Sequence, residues 1–502
     1  KKLSLPIGHI LRVFSSLLCA LPDERLMIKF HSPPLLFSMD TQPRWRKLTS
    51  VTLFTLLSIL NVADRFCISG LLPQVQPYYS INDSQAGLLQ TTFILCYIAF
   101  SFLTTFIGDR FNRKYILLIA NVAWTLLMIA SSFVPANMFW LFLLLRSLSA
   151  CGNAISFGVA VPMIGDLYQN DASSRGYALM IFYWSLSIGS SFGVLIPSVI
   201  SQYVDWHWVL RLWPALSLVI LLLIAIFVQD TKCVSDSKLT LRDVWEDLKI
   251  VFQSKSFIFT VIGQALNDMC IVTQIWWKTL LIEEAMEFQS KSTATQVFHG
   301  QSFDVIQTTL GIIVAVCGVL GSLFAIWIGQ SWKNGRHIFS RIRTNLAFPL
   351  VATIGSLIAA PTMVLMPYSL TIDVWLVYFI NGFNQFMPAG NNVIAAEIVM
   401  EAIPPSRRAT ATSILYVIAY LLGDCPGPYL VGAISDALRG NSDDAEIRFY
   451  SLTYALFFTS SLFLPCAIVF AFAAYFLRRE RVITSENSSE IHLSDAQDEK
   501  LP

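Results

Sequence analysis

Charge is what this sequence has least of. Only 13% of its 502 residues are Asp, Glu, Lys or Arg, against about 25% in a soluble globular domain. Hydrophobic residues make up 55% and the mean hydropathy is +0.60. That excludes a disordered chain and an ordinary soluble enzyme. The net charge is +1, so no global field gathers a polyanion, and nucleic acid is excluded as a partner. The 9 cysteines stand singly, with no Cys-x-x-Cys pair, and Cys67, Cys96, Cys151, Cys270, Cys317 and Cys466 fall in apolar runs. They read as packing residues, with no disulfide framework and no metal site. The 6 histidines (His9, His31, His207, His299, His337, His492) all fall in tails or loops, so no imidazole is placed as a proton relay at membrane depth. No nucleotide loop, catalytic triad or metal constellation occurs, so neither an enzyme nor a cofactor is expected.

What the sequence has is long apolar runs. A span needs roughly 20 mostly apolar residues to cross ~30 Å of hydrocarbon. Twelve such spans are predicted, at 48–72, 84–107, 115–134, 137–165, 177–203, 207–229, 256–284, 305–331, 346–367, 373–398, 409–435 and 450–477. The fold class is therefore an all-α membrane protein of two six-helix bundles. Placing both termini in the cytosol puts Arg110, Arg113, Lys114, Arg175, Arg336, Arg343, Arg407 and Arg408 in cytosolic loops. The opposite side then keeps only Arg211, Lys278, Lys291, Arg439 and Arg448, as the positive-inside bias requires.

The predicted organisation is a cytosolic tail at 1–47, a first bundle at 48–229, a linker at 230–255, a second bundle at 256–477 and a disordered cytosolic tail at 478–502. Lys1–Pro22 has two lysines and then an apolar stretch, but Arg12 interrupts it, so it is read as tail, with Met39 a candidate start. In the linker, apolar residues at helical spacing over Leu239–Phe252 suggest a helix on the membrane surface; a plain tether is the alternative. The halves echo each other: Ser174-Arg175 recurs as Ser406-Arg407 in a short loop before a span. Such a repeat implies two bundles that rock about a central pathway.

The loop after span 2 reads Gly108-Asp109-Arg110-Phe111-Asn112-Arg113-Lys114. A tight turn favours a small residue and one tolerant of the left-handed region, here Asn112, while Asp109 can pair with the positives or with a helix amino end. The loop resembles the G-x-x-x-D-R-x-G-R-K motif of the major facilitator superfamily, with Thr105 and Asn112 in place of its first and second glycines. Further segments narrow this: Asn61-Val62-Ala63-Asp64-Arg65-Phe66, Asp83-Ser84, Gly87-Leu88-Leu89-Gln90-Thr91, Asp205-Trp206-His207-Trp208, Leu421-Leu422-Gly423-Asp424 and Ile434-Ser435-Asp436. Together, over about 48–480, they resemble the Spinster family of that superfamily. The resemblance implies the superfamily fold and export of lysophospholipids from lysosomes or of sphingosine-1-phosphate across the plasma membrane, with proton coupling attributed to several members. It departs where Asn153, Gln385 and Tyr420 replace an acid, a Glu and a His. Asn153 and Gln385 share the repeat offset and are expected to line the polar centre from opposite sides.

Each charge in hydrocarbon costs at least about 2.5–3.5 kcal/mol on insertion scales and needs a reason. Arg65 is the candidate for a lipid phosphate, with Asp64 orienting it or taking a proton; a structural pair is the alternative. Asp64, Asp268 and Asp424 are the proton-coupling candidates, and Asp424 opens a helix-breaking run, Asp424-Cys425-Pro426-Gly427-Pro428. Arg146 is assigned a structural or gating role, and Lys278 is read as snorkelling to the interface. Aromatics such as Tyr97, Tyr183, Trp184, Trp276 and Trp277 stack on a head group or pack within the bundles. Substrate contacts are expected at Arg65, Asp64, Asn153, Gln385 and Tyr420. Gly108, Asp109, Arg110, Arg113, Lys114, Arg407 and Arg408 form the expected cytosolic gate. Asn82, in Asn82-Asp83-Ser84, is a glycosylation candidate.

The function expected is transport of a single-chain lipid with an anionic head, proton-coupled or uniport. The partners are lipid, bilayer and protons, with a monomer expected. A lysosomal or late endosomal membrane is favoured over the plasma membrane. A small organic-anion or sugar porter and a non-transporting scaffold or sensor are the alternatives.

Overall fold

The computed structural model of the chain describes residues 43–498 apart from 109–110, 169–170, 230–248, 250, 292–296, 404–406, 441 and 443. The first 42 residues, Asp109 and Arg110, and nearly all of the predicted surface helix Leu239–Phe252 lie outside the described residues.

At membrane depth every backbone N–H and C=O must find a partner within the protein, and helices do this locally. Among the described residues, eleven helical stretches are long and apolar enough to cross a membrane. The first bundle holds α1 (Arg44–Tyr79), α2 (Asp83–Gly108), α3 (Arg113–Ser131), the pair α4 (Phe139–Leu148) and α5 (Ala150–Leu167), α6 (Ala172–Ile200) and α7 (Trp206–Phe227). The second holds α8 (Lys255–Lys291), α9 (Phe303–Asn334), α10 (Ala347–Ser369), α11 (Val374–Phe386), α12 (Asn391–Ala402), α13 (Arg408–Ala419), α14 (Pro426–Arg439), α15 (Ala445–Ser461) and α16 (Phe463–Asp498). The tenth predicted span is carried by α11 and α12, which a turn at 387–390 divides. In the first bundle α1 packs on α6 and α7, and α5 packs on α2 and α3; in the second, α16 packs on α8 and α10, and α9 on α11.

Three local expectations change. Asn112 is not left-handed: it is extended, at φ −64°, and its side chain caps α3 by accepting from the Lys114 N–H. The run from Asp424 does not break the span; a π-helical turn over Tyr420–Asp424 joins α13 to α14, which restarts with proline in its first turn. Proline is tolerated there because a first-turn N–H has no intrahelical acceptor to lose. The polar stretch from 478, expected to be disordered, continues α16 to Asp498. Extending an existing helix avoids the cost of nucleating one.

The near end of the molecule is where α1 begins, and the far end is where α2, α7 and α15 begin. Closure of the far half joins the bundles. The Ser69 hydroxyl of α1 donates to the carbonyls of Ile275 and Trp276 on α8, both at 2.8 Å. At the start of α2, the N–H groups of Asp83 and Ser84 donate to the Asp436 carboxylate of α14 at 3.1 and 2.8 Å, and the Ser84 hydroxyl donates to it as well. A carboxylate there complements the positive end of the helix dipole. In return the Ser435 hydroxyl donates to Asp83 at 2.7 Å, with Arg439 3.6 Å away. Asn82 is exposed and caps its own helix by accepting the Gln85 N–H at 3.0 Å, while Ser84, at the other end of the sequon, is engaged in this closure.

Small residues make the approach possible. A Cβ at Gly432 would stand 2.2 Å from the Asp83 carbonyl oxygen, and one at Gly87 would stand 2.5 Å from that of Pro428. Gly432→Val is therefore expected to hold the far end apart. Transport falls at least about tenfold, as a state lost by more than 1.4 kcal/mol requires, and Leu195→Cys, placed against Gly311 of α9, becomes reactive toward a membrane-impermeant thiol reagent. Unchanged reactivity would show that this contact does not control closure.

Two far-end helices are capped by acids held below the usual carboxylate range. Asp205 accepts the His207 backbone N–H and lies 2.6 Å from its ring. Asp373 pairs with the His299 ring and accepts the Trp375 N–H. A lowered carboxylate pKa contributes stability above the unfolded value and loses it only as the pH falls through the folded one. These caps therefore persist in mildly acidic surroundings.

Candidate functional site

Successive residues on an α-helix diverge by about 100°, so the adjacent charges of α1 turn to different neighbours. Asp64 faces the first bundle. It accepts from Arg146 Nη1 at 2.9 Å and from the Trp124 indole at 2.9 Å, while Arg146 Nη2 donates to its backbone carbonyl at 2.9 Å. Both charged side chains are buried, at 3% and 1% exposure. Trp124 reaches Asp64 because Gly152 makes room: a Cβ there would lie 2.5 Å from that of the tryptophan. Arg146 thus ties α1, α3 and α4 together, and Asp64 serves that clamp.

Arg65 turns the other way and crosses between the bundles. Its Nη2 lies 2.6 Å from Asp424 Oδ2 in the π turn. The guanidinium lies 5.0 Å from the Phe66 ring centroid and 5.9 Å from that of Tyr420, and Tyr97 meets Tyr420 edge-on at 5.7 Å. With its amide oxygen turned toward α1, Gln90 accepts from Arg65 at 3.0 and 3.1 Å. The second carboxylate oxygen of Asp424 has no hydrogen-bond partner among the described residues. A π turn inside a helix often marks a functional position. Here it also packs close to α8, since a Cβ on Gly423 would stand 2.3 Å from the Ala265 carbonyl.

The third predicted acid, Asp268 on α8, has amide neighbours and no cation at salt-bridge distance among the described residues. Gln264 and Asn267 donate to Oδ1 at 2.7 and 3.2 Å, and Oδ2 has no partner among the described residues. Asp268 lies within the electrostatic reach of Asp424 and Arg65.

A polar triad recurs in the two bundles, and the sequence reading missed it. On spans 1, 3 and 4, Asn61 donates to Asn121 at 3.1 Å and to Ser156 at 3.2 Å. On spans 7, 9 and 10, Asn391 donates to Asn267 at 2.9 Å and to Ser356 at 3.1 Å. Intramembrane asparagines in matching spans were the available signal. Asn153 joins the first of these groups by donating to the Asn61 carbonyl at 3.3 Å. Gln385 lies elsewhere, lining a cleft with Gln274, Lys278, Asn381 and Asn384. No hydrogen bond joins Asn153 to Gln385 among the described residues.

Of the expected gate, Asp109 and Arg110 lie outside the described residues. Arg113 pairs with Asp166 at 2.7 Å, and Lys114 donates to the Ala225 carbonyl at 2.8 Å, both within the first bundle. Arg408 donates to the Ile403 carbonyl at 3.1 Å within the second. Lys278 does not snorkel: its side chain is buried and its ammonium meets Asn381 at 2.5 Å. Trp276 and Trp277 pack fully buried, and the Trp277 indole donates within the second bundle to the Pro428 carbonyl at 3.2 Å. Among the described residues, no three His, Cys, Asp or Glu side chains gather as a metal would require.

Comparison with known proteins agrees with this architecture. The sequence pattern of the Major Facilitator Superfamily matches residues 54–428. Protein spinster homolog 1 of Xenopus tropicalis is 31% identical over 444 residues, covering 86% of this chain and 81% of that protein. The mouse sphingosine-1-phosphate transporter SPNS2 is 29% identical over 452 residues, covering 88% and 80%. A solved structure of a bacterial homolog to the human lysosomal transporter Spinster, inward-facing and unoccupied, superposes with a TM-score of 0.68 at 17% identity, covering 88% of this chain and 99% of that one.

Proposed function

We propose that this chain, which belongs to the Major Facilitator Superfamily and within it to the spinster proteins, moves a single-chain lipid with an anionic head across a membrane by alternating access. The observation that carries the reading is the Arg65–Asp424 ion pair, which joins α1 of the first bundle to the π turn of the second. A head-group phosphate takes the guanidinium by charge-assisted hydrogen bonds and displaces Asp424. The ligand then biases the bundles because it interacts differently with the joined and parted states. Phe66, Tyr97 and Tyr420 supply the apolar rings around the guanidinium. The relative named as a sphingosine-1-phosphate transporter supports the same substrate class.

Asp268 is the proton site of this scheme. Asp64 is held by Arg146 and Asp424 by Arg65, whereas Asp268 has only amides. When a head group takes Arg65, Asp424 is released near Asp268, and one proton relieves two carboxylates left without a cation. Both termini lie in the cytosol, so the closed far end faces a lysosomal or late endosomal lumen. The amides Gln274, Asn381, Asn384 and Gln385, grouped along one cleft, favour the second reading, a small organic-anion porter.

Efflux of labelled lysophosphatidylcholine and sphingosine-1-phosphate from proteoliposomes, with and without a pH gradient, tests the proposal. Flux of either lipid that follows the gradient in the wild type, but not in Asp268→Asn, supports it. Flux of neither lipid, with flux of a soluble organic anion, would establish the porter instead. At the near end, Asp109→Ala is expected to slow lipid flux several-fold while lipid affinity stays within about twofold, as removal of a gating contact requires. Equal loss of binding would remove Asp109 from the gate.

A further inference from the structure

Three cations sit deep in the described spans, and two of them have a carboxylate: Arg65 at 2.6 Å and Arg146 at 2.9 Å. Lys278 has none at salt-bridge distance among the described residues. It is 7% exposed, and its ammonium meets the amide oxygen of Asn381. The Asn381 Nδ2 and the Gln307 Nε2 are buried donors without partners among the described residues. Lys278 forms a wall of two clefts. One, in the second bundle, holds Asn381 and Asn384. The other, between α6 and the pair α8 and α9, holds Gln307 and Ser190. The unpartnered Asn384 oxygen is the opposing acceptor on this wall.

A buried ammonium whose partner is neutral, beside two idle N–H donors, lacks negative charge. We propose that Lys278, with Asn381 and Gln307, forms a second anion subsite, separate from Arg65, that takes the terminal phosphate of a monoester. A lipid head group and free phosphate share that chemistry. A phosphodiester capped by a quaternary ammonium presents no terminal phosphate to the subsite, so Lys278 sorts substrates by head-group charge. This deepens the transport reading and rests on it for the lipid; binding of free phosphate does not depend on it.

The test uses the full chain in nanodiscs, with affinities for sphingosine-1-phosphate, lysophosphatidylcholine and inorganic phosphate, in the wild type, Lys278→Met and Lys278→Arg. Lys278→Met is expected to weaken sphingosine-1-phosphate binding at least tenfold and to leave lysophosphatidylcholine within twofold. Lys278→Arg keeps the first lipid within about threefold. Without ligand, Lys278→Met melts no lower than the wild type, because a costly buried charge has gone. Wild-type affinity for sphingosine-1-phosphate in Lys278→Met would overturn the subsite, as would a lower melting point with both lipids lost together, which marks a structural lysine. Wild-type binding of phosphate through Lys278, with neither lipid bound, keeps the subsite and ends the lipid reading. Binding of none of the three overturns both.

Discussion

Arg146→Met is expected to destabilise the first bundle by about 3–5 kcal/mol, the usual cost of stripping one partner from a buried ion pair. Asp64 would keep only the Trp124 indole, in a site where it is 1% exposed. The charge of Asp64, more than the lost contact, sets the size of the effect. Asp64→Asn combined with Arg146→Met should therefore recover most of the loss, because no uncompensated charge remains. Thermal melting of the purified chain reads both variants. A single variant that melts with the wild type would mean that this pair does not hold α1 to α3 and α4.

Arg65→Ala is expected to lower flux of an anionic lipid by about 10- to 100-fold. Hydrogen bonds to a charged group contribute about 1.5–3 kcal/mol each, and 1.4 kcal/mol is tenfold. The companion change separates binding from turnover. Asp424→Asn removes the carboxylate that competes for the guanidinium at 2.6 Å, so the head group binds several-fold more tightly. Flux falls, because nothing then drives the head group off. Weaker binding in Asp424→Asn would show that Asp424 positions Arg65 for the substrate instead of competing with it.

The spans were legible because hydrocarbon thickness fixes the length of an apolar run, and the runs in this sequence are punctuated by basic loops. Asp64, Arg65, Arg146, Asp268 and Asp424 stood out for the same reason: a charge in such a run is expensive. Their pairings were not legible. Asp64 meets a residue 82 positions away and Arg65 one 359 positions away, and no local period encodes either contact. Sequence order placed Asp64 with Arg65, while helix geometry gave each to a different bundle. Lys278 was misread because distance from a span's end suggests snorkelling, whereas only packing shows that α9 and α11 cover it. Asp83, Ser84 and Asp436 were visible as parts of a resemblance, but their joint role in closing the far end needed α2 and α14 side by side. Asn153 looked like a lost acid in the pathway, yet it supports the Asn61 backbone.

The central claim is that a cation shared between the bundles handles an anionic lipid head. Its most direct test is sphingosine-1-phosphate efflux from proteoliposomes carrying the wild type or Arg65→Ala, at matched protein and under one pH gradient. The account predicts lipid flux in the wild type that falls at least tenfold in Arg65→Ala, while Asp64 and Arg146 keep the variant folded. Equal flux in the two proteins would contradict it.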